Sequence, residues 1–321
     1  MKNLFIDTNV YLSFYHLSND DLEEIHKLAV LIKSEKIKLW VTQQVKDEFY
    51  RNREIKIQDA IKKLSDHKIK GVFPQFCKDY DEYAELKELQ KTYGTLHSKL
   101  LKSITEDAIE HKFNADDRIK ELFKLAEYVE TTDEILSEAK FRLAVGNPPG
   151  KNGSLGDAIN WEAILSETPI DEDLYFVADD KDYYSVLDEN RPKDFLLADW
   201  KEFSKSDLFF YRRLSQFFKE HYPEIKLASE LEKEIEINNL AQSGSFARTH
   251  TVINKLSKFE GFSQTQVNQL VEIALSNDQV TWIFGDEDVY EFYTALLDRH
   301  ADAIEDDIFE KIQELVAQYA D

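Results

Sequence analysis

Lys2-Asn3-Leu4-Phe5-Ile6-Asp7-Thr8-Asn9 is a short apolar run that stops on a carboxylate followed by two more polar residues. It reads as a β-strand and a polar turn, because apolar residues resume at Val10, Leu12 and Phe14 and an amphipathic stretch runs from Leu22 to Lys33. The same grammar repeats at once. Ile37 to Val41 is a second β-like run, Thr42 is placed to cap the next helix, and from Gln43 onward Val45, Phe49 and Ile57 fall on one side of that helix. A helix from Asp157 to about Ser166, a strand from Leu174 to Ala178 and a last strand at Phe195-Leu196-Leu197-Ala198 extend the alternation. Alternating elements of this kind predict an α/β core around a short parallel sheet.

Two segments interrupt it. Residues 55–145 are almost wholly helical in pattern, with apolar stripes that include Leu86, Leu89, Leu96, Leu100 and Leu122, and they read as a large helical insertion. Gly146-Asn147-Pro148-Pro149-Gly150-Lys151-Asn152-Gly153-Ser154-Leu155-Gly156 holds four of the chain's nine glycines and two of its six prolines, which marks an irregular loop rather than more helix. After Asp199-Trp200 the β signals fade. Leu208 to Phe218 begins a helix that Pro223 closes, and everything beyond about residue 225 is helical in pattern. The tryptophans Trp40, Trp161, Trp200 and Trp282 lie in apolar contexts and read as core.

Four acidic positions stand out in the α/β part. Asp7 ends the first strand, at the sheet edge where open α/β folds bind ligands. Glu48 lies six residues past the Thr42 turn, about 9 Å along its helix, and can lean back over that edge. Asp157 opens an otherwise apolar helix directly after the glycine-rich loop, and Asp179-Asp180-Lys181-Asp182 follows the strand at Leu174. Each has a plain structural role open to it: a helix cap for Asp7 or Asp179, an ion pair with Arg51 for Glu48, a dipole charge for Asp157. Together they would converge at one edge of one sheet. Such a carboxylate cluster suits Mg2+ or Mn2+, hard ions that take oxygen ligands, and two ions about 3.5–4 Å apart can activate a water and stabilise a leaving oxygen in phosphodiester hydrolysis. The loop lacks a Gly-Lys-Ser/Thr sequence, so no P-loop is present.

This order of motifs resembles the PIN-domain nucleases, and the loop wording resembles a bacterial PIN-like group known as a domain of unknown function. The resembling residues are Phe5-Ile6-Asp7-Thr8-Asn9, Glu48, Arg142 with Gly146-Asn147-Pro148-Pro149-Gly150, Gly156-Asp157-Ala158-Ile159-Asn160-Trp161 and Val177-Ala178-Asp179-Asp180-Lys181-Asp182-Tyr183. The resemblance implies a PIN-like three-layer α/β core with a short parallel sheet, a nuclease domain over 1–204 carrying the helical insertion, and an all-helical domain over 205–321. It implies a metal-dependent endoribonuclease acting on single-stranded RNA. Asp7, Glu48, Asp157 and Asp180 are then catalytic and metal-binding, with Asp182 a further ligand, Asn9, Thr8 and Asp179 auxiliary, and Arg142, Lys151 and Arg51 substrate contacts. Departures from the pattern fall at Ala178-Asp179 and Tyr183, and neither removes a ligand.

Composition bounds the alternatives. Forty Lys and Arg against 63 Asp and Glu give a net charge of −23, so the chain as a whole repels nucleic acid, and a local basic strip from residues 46–70 or a partner must deliver substrate. A single cysteine, Cys77, excludes an intramolecular disulfide framework, and the histidines show no HExxH spacing. No run of about 18 apolar residues spans a membrane, and the expected location is the cytoplasm. An aspartate-nucleophile phosphatase needs a second acid two residues after the first, where this chain has Asn9. The remaining alternatives are a nuclease acting on DNA and a catalytically silent or partner-activated scaffold. Regulated cleavage, as in a toxin or an anti-phage defence effector, is expected from the insertion and the appended helical domain, which is expected to bind a regulatory protein or a second copy of the chain.

Overall fold

In the computed structural model, residues 1–15, 22–69, 71–150, 154–225, 227–259, 261–300, 304 and 306–319 are described, 306 and 307 by backbone alone. Strands β1 (Lys2–Ile6), β2 (Ile37–Thr42), β3 (Glu127–Val129), β4 (Leu174–Val177) and β5 (Leu208–Tyr211) form one sheet in the order β3-β2-β1-β4-β5, every pair parallel. β1 is central and buried on both faces, as expected of a continuous apolar run in a parallel sheet. From β1 the chain moves outward on one side to β2 and β3, then crosses to the other side for β4 and β5. That reversal opens a crevice at the C-terminal ends of β1 and β4.

Helices follow the strands. β1 leads into α1 (Thr8–Ser13) and α2 (Leu22–Lys33), and β2 into α3 (Gln43–Asp66), whose Val45, Phe49, Arg53 and Ile57 recur every fourth residue and are buried. Thr42 caps α3 by accepting from the Val45 N–H (3.1 Å). A short 3-10 turn (Gln75–Asp79), α4 (Asp81–Ile109) and α5 (Asn114–Leu125) then lead to β3, and α6 (Asp133–Val145) precedes α7 (Leu155–Glu167). The expected insertion is therefore not one block. Ile119 and Leu122 of α5 and Ala139 of α6 are fully buried, and β3 completes the sheet edge, a three-residue strand too short to register in the pattern. Only the outer part of α3, the 3-10 turn and α4 stand outside the core.

The expected strand at Phe195–Ala198 is instead part of helix α8 (Asp194–Ser204): Leu196 and Trp200, four residues apart, are buried while Phe195 is exposed. The fifth strand lies at Leu208–Tyr211, within the stretch that reads as a helix, and α9 (Leu214–His221) follows it. The chain accordingly divides into compact units at Met1–Glu224 and Ile225–Asp321, so the 204/205 boundary would strip β5 from the sheet it completes. The second unit consists of α10 (Ala228–Ala241), α11 (Phe246–Leu256), α12 (Gln264–Ser276), α13 (Asp278–Thr281), α14 (Glu287–His300) and α15 (Asp306–Ala317) around its own apolar core. Trp282 is not in that core; it is 67% exposed on the surface of this unit. Among the described residues no helix is long and apolar enough to cross a membrane.

Candidate active site

Asp7 is the N-cap of α1: its Oδ2 accepts from the Asn9 N–H (3.3 Å), and its own N–H donates to the Val177 carbonyl oxygen (2.9 Å), which ties the end of β1 to the end of β4. The side chain is buried at the crevice. Its carboxyl is pushed up to about 8, first by burial and then by the nearby carboxylates of Asp157, Glu48 and Asp180. Asp7 thus caps α1 while lying among the other acids.

Asp157 enters from the first turn of α7. The Ser154 hydroxyl donates to its Oδ2 (2.7 Å) and the Tyr183 hydroxyl to its Oδ1 (3.2 Å), so both oxygens are oriented. Burial, with Asp180, Asp182 and Glu48 nearby, lifts this carboxyl to about 6. Burial and the Asp157 and Asp7 charges hold the Tyr183 phenol well above its ordinary value, so it stays a donor. Gly156 explains how α7 comes so close to α3. A Cβ there would stand 2.5 Å from Gln44 Nε2 and 3.6 Å from Glu48 Oε2, and Gln44 Nε2 in turn donates to Glu48 Oε2 (3.3 Å).

Asp180 is reached by the Asn9 side-chain amide (3.5 Å), and its Oδ1 accepts from the Asp182 N–H (2.9 Å), folding the turn after β4 back on itself. Asp182 is buried beside it. The five acids read from the sequence therefore share one electrostatic neighbourhood. The Asn9 backbone N–H acts against this rise at Asp7, and the Ser154 hydroxyl does so at Asp157. Among the described residues no three carboxylates form a closed metal cage as they stand. The donor chemistry, all oxygen and mutually repelling, nonetheless fits a hard divalent cation.

Other candidates part company with the cluster. Asp179 is held in an ion pair with Arg212, whose Nε and Nη2 both donate to Asp179 Oδ1 at 2.8 and 2.5 Å. Arg212 also pairs with Glu189 and lies over the Tyr184 ring. Arg142 is not a phosphate contact. It is buried, with Nε on Glu162 (2.5 Å), Nη1 on the Pro148 carbonyl (2.7 Å) and Nη2 on Asp199 (2.7 Å), where the Trp161 indole N–H also donates. All three contacts pin the Pro148 loop against α7 and α8. Arg51 remains exposed on α3, one turn past Glu48; Lys151 lies outside the described residues.

Sequence reading missed several polar partners. The Thr42 hydroxyl donates to Asn160 Oδ1 (2.5 Å), linking β2 to α7, while the Thr8 hydroxyl, the Tyr11 hydroxyl and Asn160 Nδ2 are buried without a partner among the described residues. Nothing in the spacing of Tyr11 or Asn160 marks them, since each falls on a helix face that also carries apolar residues.

With strand, helix and loop placed, the family comparison is decisive: a PIN domain matches residues 4–183. The chain belongs to the PIN-domain family. This is a family of nucleases, generally metal-dependent, and the match spans every acid of the crevice, from Asp7 through Glu48 and Asp157 to Asp182. No curated protein matches the chain, and neither does any solved structure. The match ends at Tyr183, so β5, which completes this edge of the sheet, and Arg212 just after it lie beyond the matched residues.

Proposed function

We propose that this PIN-domain chain is an endonuclease that hydrolyses phosphodiester bonds in single-stranded RNA with Mg2+ or Mn2+ held by Asp7, Glu48, Asp157 and Asp180, and with Asp182 beside them. The observation that carries the reading is the convergence of buried Asp7 with Asp157, Glu48 and Asp180 at one sheet edge, where burial first and these acids second push the Asp7 carboxyl up to about 8. Folding a chain around such a cluster is costly unless a cation offsets the repulsion. A divalent ion supplies water activation and stabilisation of the leaving oxygen.

The chain's own groups do the positioning. Ser154 and Tyr183 hold both oxygens of Asp157, the Asn9 amide and the Asp182 N–H hold Asp180, and Gln44 holds Glu48. Arg51, on the same helix as Glu48 and exposed, meets a substrate phosphate, and so does Lys151. The appended 225–321 unit, which this chemistry does not need, supports a regulated role as a toxin or anti-phage effector under the control of a partner protein.

The test is cleavage of end-labelled single-stranded RNA and DNA by wild type and Asp157→Asn, with Mn2+ or Mg2+ and with chelator. Metal-dependent cutting of RNA that disappears in the variant is expected. Cutting that survives in Asp157→Asn, or none by a folded wild type shown to bind Mn2+, would overturn the proposal; cutting of DNA alone would overturn its substrate.

A further inference from the structure

The turn that carries Asp180 and Asp182 leaves the sheet at Ala178, whose N–H donates to the Tyr211 carbonyl oxygen (3.0 Å) just past the paired residues of β4 and β5. One residue further along each strand stand Asp179 and Arg212. Besides the two donors on Asp179 Oδ1, Arg212 places Nη1 on Glu189 and its guanidinium 5.1 Å from the centre of the Tyr184 ring. Asp179 precedes and Glu189 follows residues 180–188, so one guanidinium closes both ends of the segment that holds Asp180 and Asp182. Arg212 is itself fixed, because its N–H donates to Gln216 Oε1 (3.0 Å) in the first turn of α9. Within the closed segment the Tyr183 N–H donates to the Asp180 carbonyl oxygen (3.1 Å), and the Tyr183 hydroxyl reaches Asp157.

We propose that Arg212 is a positioning residue for the metal site: by clasping Asp179 and Glu189 it holds Asp180 and Asp182 in the crevice, touching neither the ion nor the substrate. The proposal rests on the reading of the crevice as a divalent-metal site. Asp179, Asp180 and Asp182 repel one another, and a turn built from them splays unless something ties it down. A planar guanidinium can grip two acids and lie on a ring at once, which an ammonium cannot. Asp179 and Glu189 are 49% and 61% exposed, so the pairs add little to stability, and what they fix is direction. Arg212 lies beyond the residues matched to the PIN domain, so the family match does not cover this contact.

Charge alone predicts the opposite of positioning, since a guanidinium near the site repels a bound cation and its removal by itself tightens metal binding. The experiment is calorimetric titration of Mn2+ into the full chain as wild type, Arg212→Met, Arg212→Lys, Asp179→Ala and Asp157→Asn, each first shown to be folded by circular dichroism. Arg212→Met is expected to bind Mn2+ at least tenfold more weakly than wild type, with Arg212→Lys, which keeps the charge and gives up the fork, in between. If Arg212→Met does not fold, Arg212→Lys carries the same test. Asp179→Ala/Arg212→Met should lose less than the product of the two single losses, because both residues act through one contact. Mn2+ bound by Arg212→Met as tightly as by wild type, or more tightly, overturns the proposal while leaving the metal site in place, provided Asp157→Asn has lost the ion. A wild type that binds no Mn2+, or an Asp157→Asn that binds it as well as wild type, removes the metal site and the proposal together. Weakened RNA binding by Arg212→Met at unchanged Mn2+ affinity makes Arg212 a phosphate contact and likewise overturns it.

Discussion

Asp7→Asn should stabilise the metal-free protein while abolishing its response to metal. In the unfolded chain the Asp7 carboxyl ionises near 3.8, and in the folded chain at about 8. A carboxyl raised on folding favours the folded state fully only below its unfolded value, and that stability is lost as pH rises toward the folded one, at about 1.4 kcal/mol per pH unit for the full shift. At pH 7.5 the cost approaches roughly 5 kcal/mol if Asp7 bears all of it, and about 2–4 kcal/mol once the repulsion is shared among its acidic neighbours. Asparagine removes the charge yet keeps an oxygen to accept from the Asn9 N–H, and the two residues are equivalent as helix caps. For a unit of the size of Met1–Glu224, each kcal/mol moves the melting temperature by about 2–4 °C. Thermal melts in chelator should therefore place the variant roughly 5–15 °C above wild type at pH 7.5, with the gap shrinking by pH 5. Added Mn2+ should raise the wild type alone. A variant no more stable than wild type at pH 7.5, or a gap that widens on acidification, would refute the reasoning.

The same contacts set three further outcomes. Arg142→Ala strands Glu162 and Asp199 without their buried partner and should cost about 3–5 kcal/mol in urea unfolding; an undiminished stability with weakened RNA binding would return Arg142 to the phosphate. Gly156→Ala pushes on the mobile end of Gln44, so stability should change by less than about 1 kcal/mol while Mn2+ affinity falls, and an unaltered affinity in a titration would show that Gln44 does not position Glu48. A chain cut after residue 224 should melt cooperatively, whereas one cut after 204 loses β5 and should not; equal melts would contradict the sheet order.

The first two strands and their helices were legible because each is a run of one pattern: Leu4, Phe5 and Ile6 are buried together and Val45, Phe49 and Ile57 lie on one helix face. The acids were legible through their order along the chain, which topology then folds to one edge. What escaped was whatever tertiary context decides. Phe195-Leu196-Leu197-Ala198 and Leu208-Phe209-Phe210-Tyr211 are both short apolar runs, and only a vacant place beside β4 makes the second a strand. β3 is shorter than any periodicity. Arg142 and Arg212 are basic residues near the crevice, and whether such a group stays free or pairs with an acid of the chain depends on partners that lie 20 to 57 residues away for Arg142 and 23 to 33 for Arg212.

The central claim is that Asp7, Glu48, Asp157 and Asp180 form one divalent-metal site, and calorimetric titration of Mn2+ into the full chain at pH 7.5 tests it most directly. Wild type should bind with release of protons, read from buffers of different ionisation enthalpy, because Asp7 at about 8 is still largely protonated there. Asp7→Asn should lose the proton release and most of the affinity. Binding that is indifferent to Asp7→Asn, or absent from the folded wild type, would contradict the account.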